Sequence, residues 1–316
     1  MFTAPMLVGH REQQDQFLEA LGSGRMHHAW ILAGPRGVGK RRFADMAALR
    51  LLAGEGDGLF VDPDHPAARL VTAGSHLDHR VLVRETDDKG KQAVEIRVEQ
   101  VRALQALFRT TPGMGGWRVV ILDSIDDMNR SAANAFLKSL EEPPAQTLFL
   151  LVSHAPQRLL PTIRSRCRVL RFRRLADEDV RSVLAAEGVE ATNETMALAA
   201  GAPGEGLRFA GEAASGLIDS VERVLRHGPA EIAGFARAFQ PQGAQLRFEA
   251  MTILVPRRLA TLALRNGGDR MLDLQQQAER IGRDAVMLAY DRVQVAFALG
   301  ELLARAGRLQ GTTPRS

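Results

Sequence analysis

The sequence predicts an α/β domain built on a parallel sheet, followed by a second half that is all helix. Three observations carry this. Apolar strand-like runs alternate with amphipathic helical stretches as far as about Leu175, the pattern of a doubly wound parallel sheet with helices on both faces. A glycine loop, Gly34-Pro-Arg-Gly-Val-Gly-Lys40-Arg41, lies between the first strand-like run and the helix after it. Beyond Leu175 the strand-like runs stop and helical spacing continues to the end of the chain.

In chain order, Met6 to Gly24 reads as a loop and an amphipathic helix with Phe17, Leu18 and Leu21 on one face. His28 to Ala33 is a buried strand entering the glycine loop, and Arg41 to Ala53 is a helix with Phe43, Ala44, Ala47 and Leu51 at helical spacing. Gly54 to His79, rich in Gly, Asp, Pro and His, reads as an irregular excursion. Its His65, His76 and His79 with Asp62, Asp64 and Asp78 fit no compact metal-ligand spacing, and a solvated loop is the reading adopted. Arg80 to Val83 is a strand, Asp87 to Gln92 a turn, and Glu95 to Phe108 a helix that stops before Pro112. Arg118 to Leu122 is a central strand closed by Asp123, and Asn129 caps the next helix, which Glu141-Glu-Pro-Pro144 ends. Thr147 to Val152 is another buried strand, leading through Ser153-His154 to a loop and helix carrying Ser165-Arg166-Cys167. The helices that follow span Asp177–Glu187, capped near Asp177, then Glu194–Ala200, broken by Gly201-Ala-Pro-Gly204. After these come Leu217–Arg226, Glu231–Phe239, Gln245–Leu264 and Met271–Arg305, with a frayed tail from Gly311.

The 316 residues suffice for two or three domains, and 45% apolar with 25% charged residues is the profile of a soluble globular protein. No apolar run reaches the roughly 20 residues of a membrane span, and Met1 to Gly9 lacks the form of a signal peptide, so a cytoplasmic protein is expected. A single cysteine, Cys167, excludes an intrachain disulfide and a cysteine-built zinc site. The net charge of +4 is compatible with nucleic acid nearby but argues little by itself. Lysine is rare: Lys40, Lys89, Lys91 and Lys138 are the only ones, which draws attention to Lys40 in the glycine loop.

That loop is a P-loop with one flaw. Gly34, Gly37 and Gly39 let backbone N–H groups face a phosphate and Lys40 adds a point charge, but Arg41 stands where a Ser or Thr would hold Mg²⁺. Asp123 ends a buried strand downstream, the place of a Walker B acid that orients the metal. The next position, which in an ATPase carries a water-polarising glutamate, is Ser124. Asp126 could replace it only weakly, and a solvated or helix-capping acid is the better reading. Ser153 can sense a γ-phosphate or be an ordinary strand-terminal serine; spacing does not decide. Arg164, Arg166, Arg168, Arg171, Arg173 and Arg174 form a basic stretch without an acid. It reads as a solvated basic strand and turn, as a source of an arginine acting on phosphoryl charge in a neighbouring subunit, or as a contact to a nucleic-acid backbone.

Together these pieces resemble the clamp-loader branch of the AAA+ ATPases. The resemblance rests on Val8-Gly-His10, His28-Ala29, Gly34–Lys40, Ile96–Arg102, Val119–Asp123, Asn134-Ala-Phe-Leu-Lys-Ser-Leu-Glu-Glu-Pro-Pro144 and Ser165-Arg166-Cys167. It is strong over about residues 5–210 and only architectural beyond. It implies an AAA+ P-loop domain over 1–174, a small helical lid over 175–212 and a helical collar for oligomerisation over 213–316. Three departures from the family's ATPase subunits imply a non-hydrolysing subunit: Arg41, Ser124, and Gly204 where those subunits carry a sensor arginine, with Arg208 four residues later as a weak substitute. The family's four-cysteine zinc module has no counterpart in Gly54–His79, so no zinc is expected. No cofactor is required, although ATP or ADP held without hydrolysis stays compatible with the loop. Ser165-Arg166-Cys167 is intact, and the resemblance gives Arg166 the role of reaching the ATP of an adjacent subunit; Cys167 is then a small buried neighbour rather than a nucleophile.

The function so implied is that of a non-hydrolysing clamp-loader subunit of DNA polymerase III, one that does not itself hydrolyse ATP but belongs to an enzyme complex, a DNA-directed DNA polymerase. Its partners would be the gamma/tau ATPase subunits, the delta subunit, the sliding clamp and primed DNA. The first alternative is an active ATPase subunit of gamma/tau type or another AAA+ motor. A plain DNA-binding protein is the second, and the absence of an aromatic stacking face speaks against it.

Overall fold

The computed structural model describes residues 7–86, 93–108, 111–114, 116–211, 215–266, 268–287 and 290–311. The expected turn at Asp87–Gln92 and the tail beyond Gly311 lie outside them. The chain forms two compact units, Met1–Leu175 and Ala176–Ser316.

The first unit runs α1 (Arg11–Gly22), β1 (Ala29–Ala33), α2 (Lys40–Ala53), α3 (Pro66–Thr72), β2 (His79–Leu82), α4 (Val98–Leu107), β3 (Arg118–Asp123), α5 (Arg130–Glu141), β4 (Thr147–Ser153), α6 (Pro161–Arg164) and β5 (Arg168–Arg171). The five strands form one parallel sheet in the order β2-β3-β4-β1-β5. Every residue of β1 and β4 is buried, as their unbroken apolar sequences require of central parallel strands. One face of the sheet, with Ile31, Val120, Leu122, Phe149 and Leu151, packs on Val101 and Leu104 of α4 and on Phe136 and Leu140 of α5. The Phe136 and Phe149 rings meet edge to face at 5.2 Å. On the other face Trp30 meets Phe17 of α1 at 5.7 Å, and Phe17 meets Phe43 of α2 at 5.8 Å. Helices therefore cover both faces. The register sets Ala33 beside Ser153 and Asp123 beside Val152, so the carboxyl ends of β1, β3 and β4 converge where the strand order reverses, the usual ligand edge of such sheets.

Two elements differ from the sequence reading in this unit. The stretch Gly54–His79 holds a helix, α3, with Pro66 at its first position and the His65 ring accepting from Ala67 N–H at 3.1 Å. The neighbouring acid–histidine groups tie loops together: His76 accepts from Asp78 N–H, and the Asp78 carboxylate accepts from the backbone of Gly113 and Met114. The α4 helix starts at Val98 rather than Glu95, because Ile96 is pinned as an extended residue. Its N–H donates to Asp127 O and its carbonyl accepts from Asn129 N–H.

The second unit contains α7 (Asp177–Ala186), α8 (Asn193–Ala199), α9 (Pro203–Phe209), α10 (Leu217–His227), α11 (Ile232–Arg237), α12 (Gln245–Asn266), α13 (Asp269–Met287) and α14 (Arg292–Gly311). The helices expected as lid and those expected as collar share one apolar core: Leu198 and Phe209 pack with Val224, Phe239, Phe248, Leu259, Leu299 and Leu303. At the crossing of α10 and α14, a Cβ on Gly307 would come within 1.9 Å of the Leu225 carbonyl oxygen, so only glycine fits. Ala176 rather than Asp177 takes the cap position of α7, leaving Asp177, Glu178 and Asp179 in the first turn where they complement the helix dipole. After the break at Gly201, Pro203 opens α9, a helix the glycine- and proline-rich spacing hides. The long helix expected over Met271–Arg305 is two helices, and Asp291 caps the second by accepting from Gln294 N–H at 2.9 Å. Among the described residues, no helix is long and apolar enough to cross a membrane.

Candidate functional site

The glycine loop follows β1 and runs into the N-terminus of α2, with Gly37 and Gly39 at positive φ, the left-handed geometry that glycine tolerates. A Cβ on Gly34 would lie 2.3 Å from the Phe172 carbonyl oxygen, so the loop is wedged against the chain leaving β5. His10 braces it from the other side, with its ring 2.8 Å from the Val38 carbonyl and 4.9 Å from Phe172. Lys40 is 3% exposed. Its ammonium turns back onto the loop itself, donating to the carbonyls of Gly34 at 2.6 Å and Pro35 at 2.5 Å. Burial lowers its pKa to about 8, against the pull of Asp126 and Asp123.

Arg41 decides the chemistry of this corner. Its Nε donates to Asp45 at 2.9 and 3.0 Å, and its Nη1 donates to Asp123 at 3.1 Å. The acid that would orient a metal is paired with a guanidinium from the residue that replaces the metal-binding hydroxyl. The donor set present does not fit Mg²⁺: one ligand is absent, and a fixed cation already satisfies the other. Asp45 lies one turn after Arg41 on α2. Burial raises its carboxyl pKa, with the Arg41 charge opposing. Sequence reasoning passed over Asp45, although the Arg–x–x–x–Asp spacing on a helix marks it.

Past Asp123, Ser124 offers no base, and Asp126 is neither solvated nor a cap. Its carboxylate accepts from Ser124 Oγ at 3.2 Å, Ser153 Oγ at 2.9 Å, His154 N–H at 2.5 Å and Ala155 N–H at 3.3 Å. It staples the turn after β3 to the end of β4. Ser153 is fully buried, and its hydroxyl serves this staple. Gly34, Lys40, Asp123 and Ser153 are thus brought to one corner, and each polar side chain there is met by another protein group. Gly204 falls in the first turn of α9 in the second unit. Arg208, in the same helix, pairs with Glu249 of α12 and lies 4.7 Å over the Phe209 ring.

The Ser165-Arg166-Cys167 turn lies at the other end of the unit's basic stretch. Cys167 packs on the core beside α5, and burial raises its thiol pKa to about 12, so it is not a nucleophile near neutral pH. Arg166 lies on the surface, about a third exposed, with its guanidinium turned back onto its own unit. Its Nη1 donates to Thr162 O at 3.0 Å and its Nη2 pairs with Glu141 at 2.9 Å. Of the remaining arginines, Arg168 stacks over Trp30 at 4.7 Å, a structural use, while Arg164, Arg171 and Arg173 are exposed.

The family described as DNA polymerase III, delta subunit, matches residues 9–176. The chain belongs to this family. A DNA polymerase III subunit delta' of Pseudomonas aeruginosa is 38% identical over 225 residues, 67% of this chain and 66% of that protein. The subunit delta' of Escherichia coli strain K12 is 33% identical over 159 residues, 50% of this chain and 46% of the relative. A subunit tau of Salmonella typhimurium is 33% identical over 178 residues, 56% of this chain and 26% of the relative. The chain thus spans less than two thirds of the length of these family relatives. Among solved structures, a gamma subunit-related protein of Thermotoga maritima aligns over 93% of this chain and 100% of that one, with a TM-score of 0.49 and 16% identity.

Proposed function

We propose that this chain is a delta-prime-type, non-hydrolysing subunit of the DNA polymerase III clamp loader and that it supplies Arg166 to the ATP site of a neighbouring subunit. The observation that carries the reading is the Arg41–Asp123 pair. It takes the place of a metal ion, and Ser124 beside it offers no group to polarise water. Loss of the metal ligand and the base together removes most of the transition-state stabilisation of phosphoryl transfer. Arg166 stands on the surface with the rest of its motif intact, and the chain's relatives include delta' subunits. The partners would be the gamma/tau ATPase subunits, the delta subunit, the sliding clamp and primed DNA.

The test is co-purification with those subunits, followed by ATPase assays. The isolated chain should not hydrolyse Mg-ATP, with or without primed DNA. In the complex, Arg166→Ala should lower DNA-stimulated turnover at the adjoining site by about 10³-fold. Unchanged turnover at saturating ATP would remove Arg166 from the role. A second reading, an active gamma/tau-type ATPase, is favoured by the tau relative and by the retained glycines and Lys40. A Mg²⁺-dependent rate in the isolated chain that vanishes in Lys40→Ala would establish it and sink the first.

A further inference from the structure

Two of the chain's most distinctive segments, the Leu-Lys-x-Leu-Glu-Glu-Pro-Pro run and the Ser-Arg-Cys triplet, meet in space through one ion pair. Glu141 is the last residue of α5, which Pro143-Pro144 prevents from continuing. The α6 turn brings the triplet beside that end. Cys167 and Ile163 anchor the turn on the core cluster containing Phe136 and Leu140. With the backbone held there, the Arg166 guanidinium lies between Glu141 Oε1 at 2.9 Å and Thr162 O at 3.0 Å, contacting Ser165 Oγ at 3.4 Å. Both terminal nitrogens therefore face the arginine's own subunit. The pair is half exposed, with side chains 35% and 48% accessible for Arg166 and Glu141, so water and competing anions reach it.

We propose that Glu141 is a positioning residue for Arg166: it parks the guanidinium against its own subunit until a more highly charged acceptor on a neighbour displaces it. This rests on the reading that Arg166 acts in trans. The chemistry of the exchange is simple. A carboxylate offers one negative charge, and Glu141 meets only one nitrogen of Arg166, whereas a terminal phosphoryl group offers more charge and three oxygens that a guanidinium can bind in bidentate fashion. A half-exposed pair is weak enough to be exchanged without a large barrier, yet it biases the arginine inward when the neighbour's nucleotide is distant. Where a neighbour's nucleotide comes within reach of Arg166, the phosphoryl group outcompetes the carboxylate. The parked pair therefore holds down turnover mainly in the relaxed, DNA-free complex.

The experiment uses the reconstituted complex with the full chain carrying Glu141→Gln, Glu141→Ala, Arg166→Ala or Arg166→Ala with Glu141→Gln. Both Glu141 variants should raise DNA-free ATP turnover by about two- to fivefold, the scale of one half-exposed ion pair, and leave the DNA-stimulated maximum unchanged. Glu141→Gln should have no effect once Arg166 is alanine. If Arg166→Ala leaves turnover unchanged, the trans role itself fails, and the parking role with it. If Arg166→Ala lowers turnover but the Glu141 variants leave DNA-free turnover unchanged or lower it, the parking role alone is overturned. A rise of equal size in the Arg166→Ala background would also overturn it, by showing that Glu141 acts on the fold rather than through Arg166.

Discussion

Two corners of the first unit hold arginines in opposite ways. At the glycine loop, Arg41 is locked between Asp45 and Asp123, Lys40 is folded onto its own carbonyls, and Ser153 is tied to Asp126. At the triplet, Arg166 is exposed to the same degree as Arg41, 35% against 37%, but it meets one carboxylate, Glu141, rather than two, together with the Thr162 carbonyl. On the proposed reading, the first corner serves as a structural joint made from parts suited to binding phosphate. On the same reading, the second lends its arginine to a neighbour. A site loses chemistry when its charged groups find partners within the protein, even though the residues that define it in sequence remain in place.

The contrast can be broken at its firmest point first. Gly34→Ala would drive a methyl group to 2.3 Å from a backbone oxygen of Phe172, where neither side can yield easily. We expect the first unit to lose about 2–4 kcal/mol, the scale of overpacking combined with a forced backbone shift. Urea unfolding followed by tryptophan fluorescence reads this directly, because Trp30 and Trp117 both lie in that unit. Unaltered stability would mean the loop is not wedged.

Lys40 gives the next effect, and its sign follows from linkage. Its folded pKa of about 8 lies below the unfolded value, so between them the unfolded chain binds more protons and stability rises with pH. The burial penalty is fully present below about pH 8 and is relieved as pH climbs toward 10.5. Lys40→Met should lack this component of the rise, which is of order 1–3 kcal/mol. Urea midpoints at pH 7.5 to 9.5 provide the comparison, and parallel slopes for the two proteins would contradict a buried ammonium. Cys167 works in the opposite direction, since a thiol pKa raised to about 12 makes the folded chain the better proton binder at high pH. The smallest expected effect is there: alkylation of Cys167 by iodoacetamide at pH 8.5 should be at least about tenfold slower in the folded protein than in urea. Equal rates would show that the triplet is not anchored in the core.

The sheet was legible because its central strands are continuous apolar runs, and the glycine loop because strand, loop and helix follow one another at short range. Arg41, Ser124 and Asp123 could be named from spacing. What spacing cannot give is who pairs with whom. Asp123 meets Arg41 across 82 positions of sequence, and Ser153 meets Asp126 across 27. Each of these contacts depends on strand order, which a local pattern does not encode. Helices α3 and α9 were hidden because each is short and opens on a proline within a stretch rich in turn-forming residues, where composition speaks for a loop. The His65-Pro66 and Ala202-Pro203 pairs were the available signals. The junction between α13 and α14 was missed because apolar spacing continues across it, and only Asp291 marks the new start.

The basic stretch also bears on how the chain survives alone. β5 is an outer strand of the sheet, and among the described residues one of its long edges has no strand beside it. Such an edge offers backbone donors and acceptors to any extended segment, the usual seed of aggregation, and here Gln13 of α1 already covers part of it by donating to Arg171 O at 2.9 Å. Arg171 stands exposed on it, with Arg173 just beyond, while Arg168 leans back over Trp30 of β1. Two copies approaching edge to edge would bring these guanidinium groups together and repel. Charge of one sign on this strand would disfavour edge-to-edge pairing of copies.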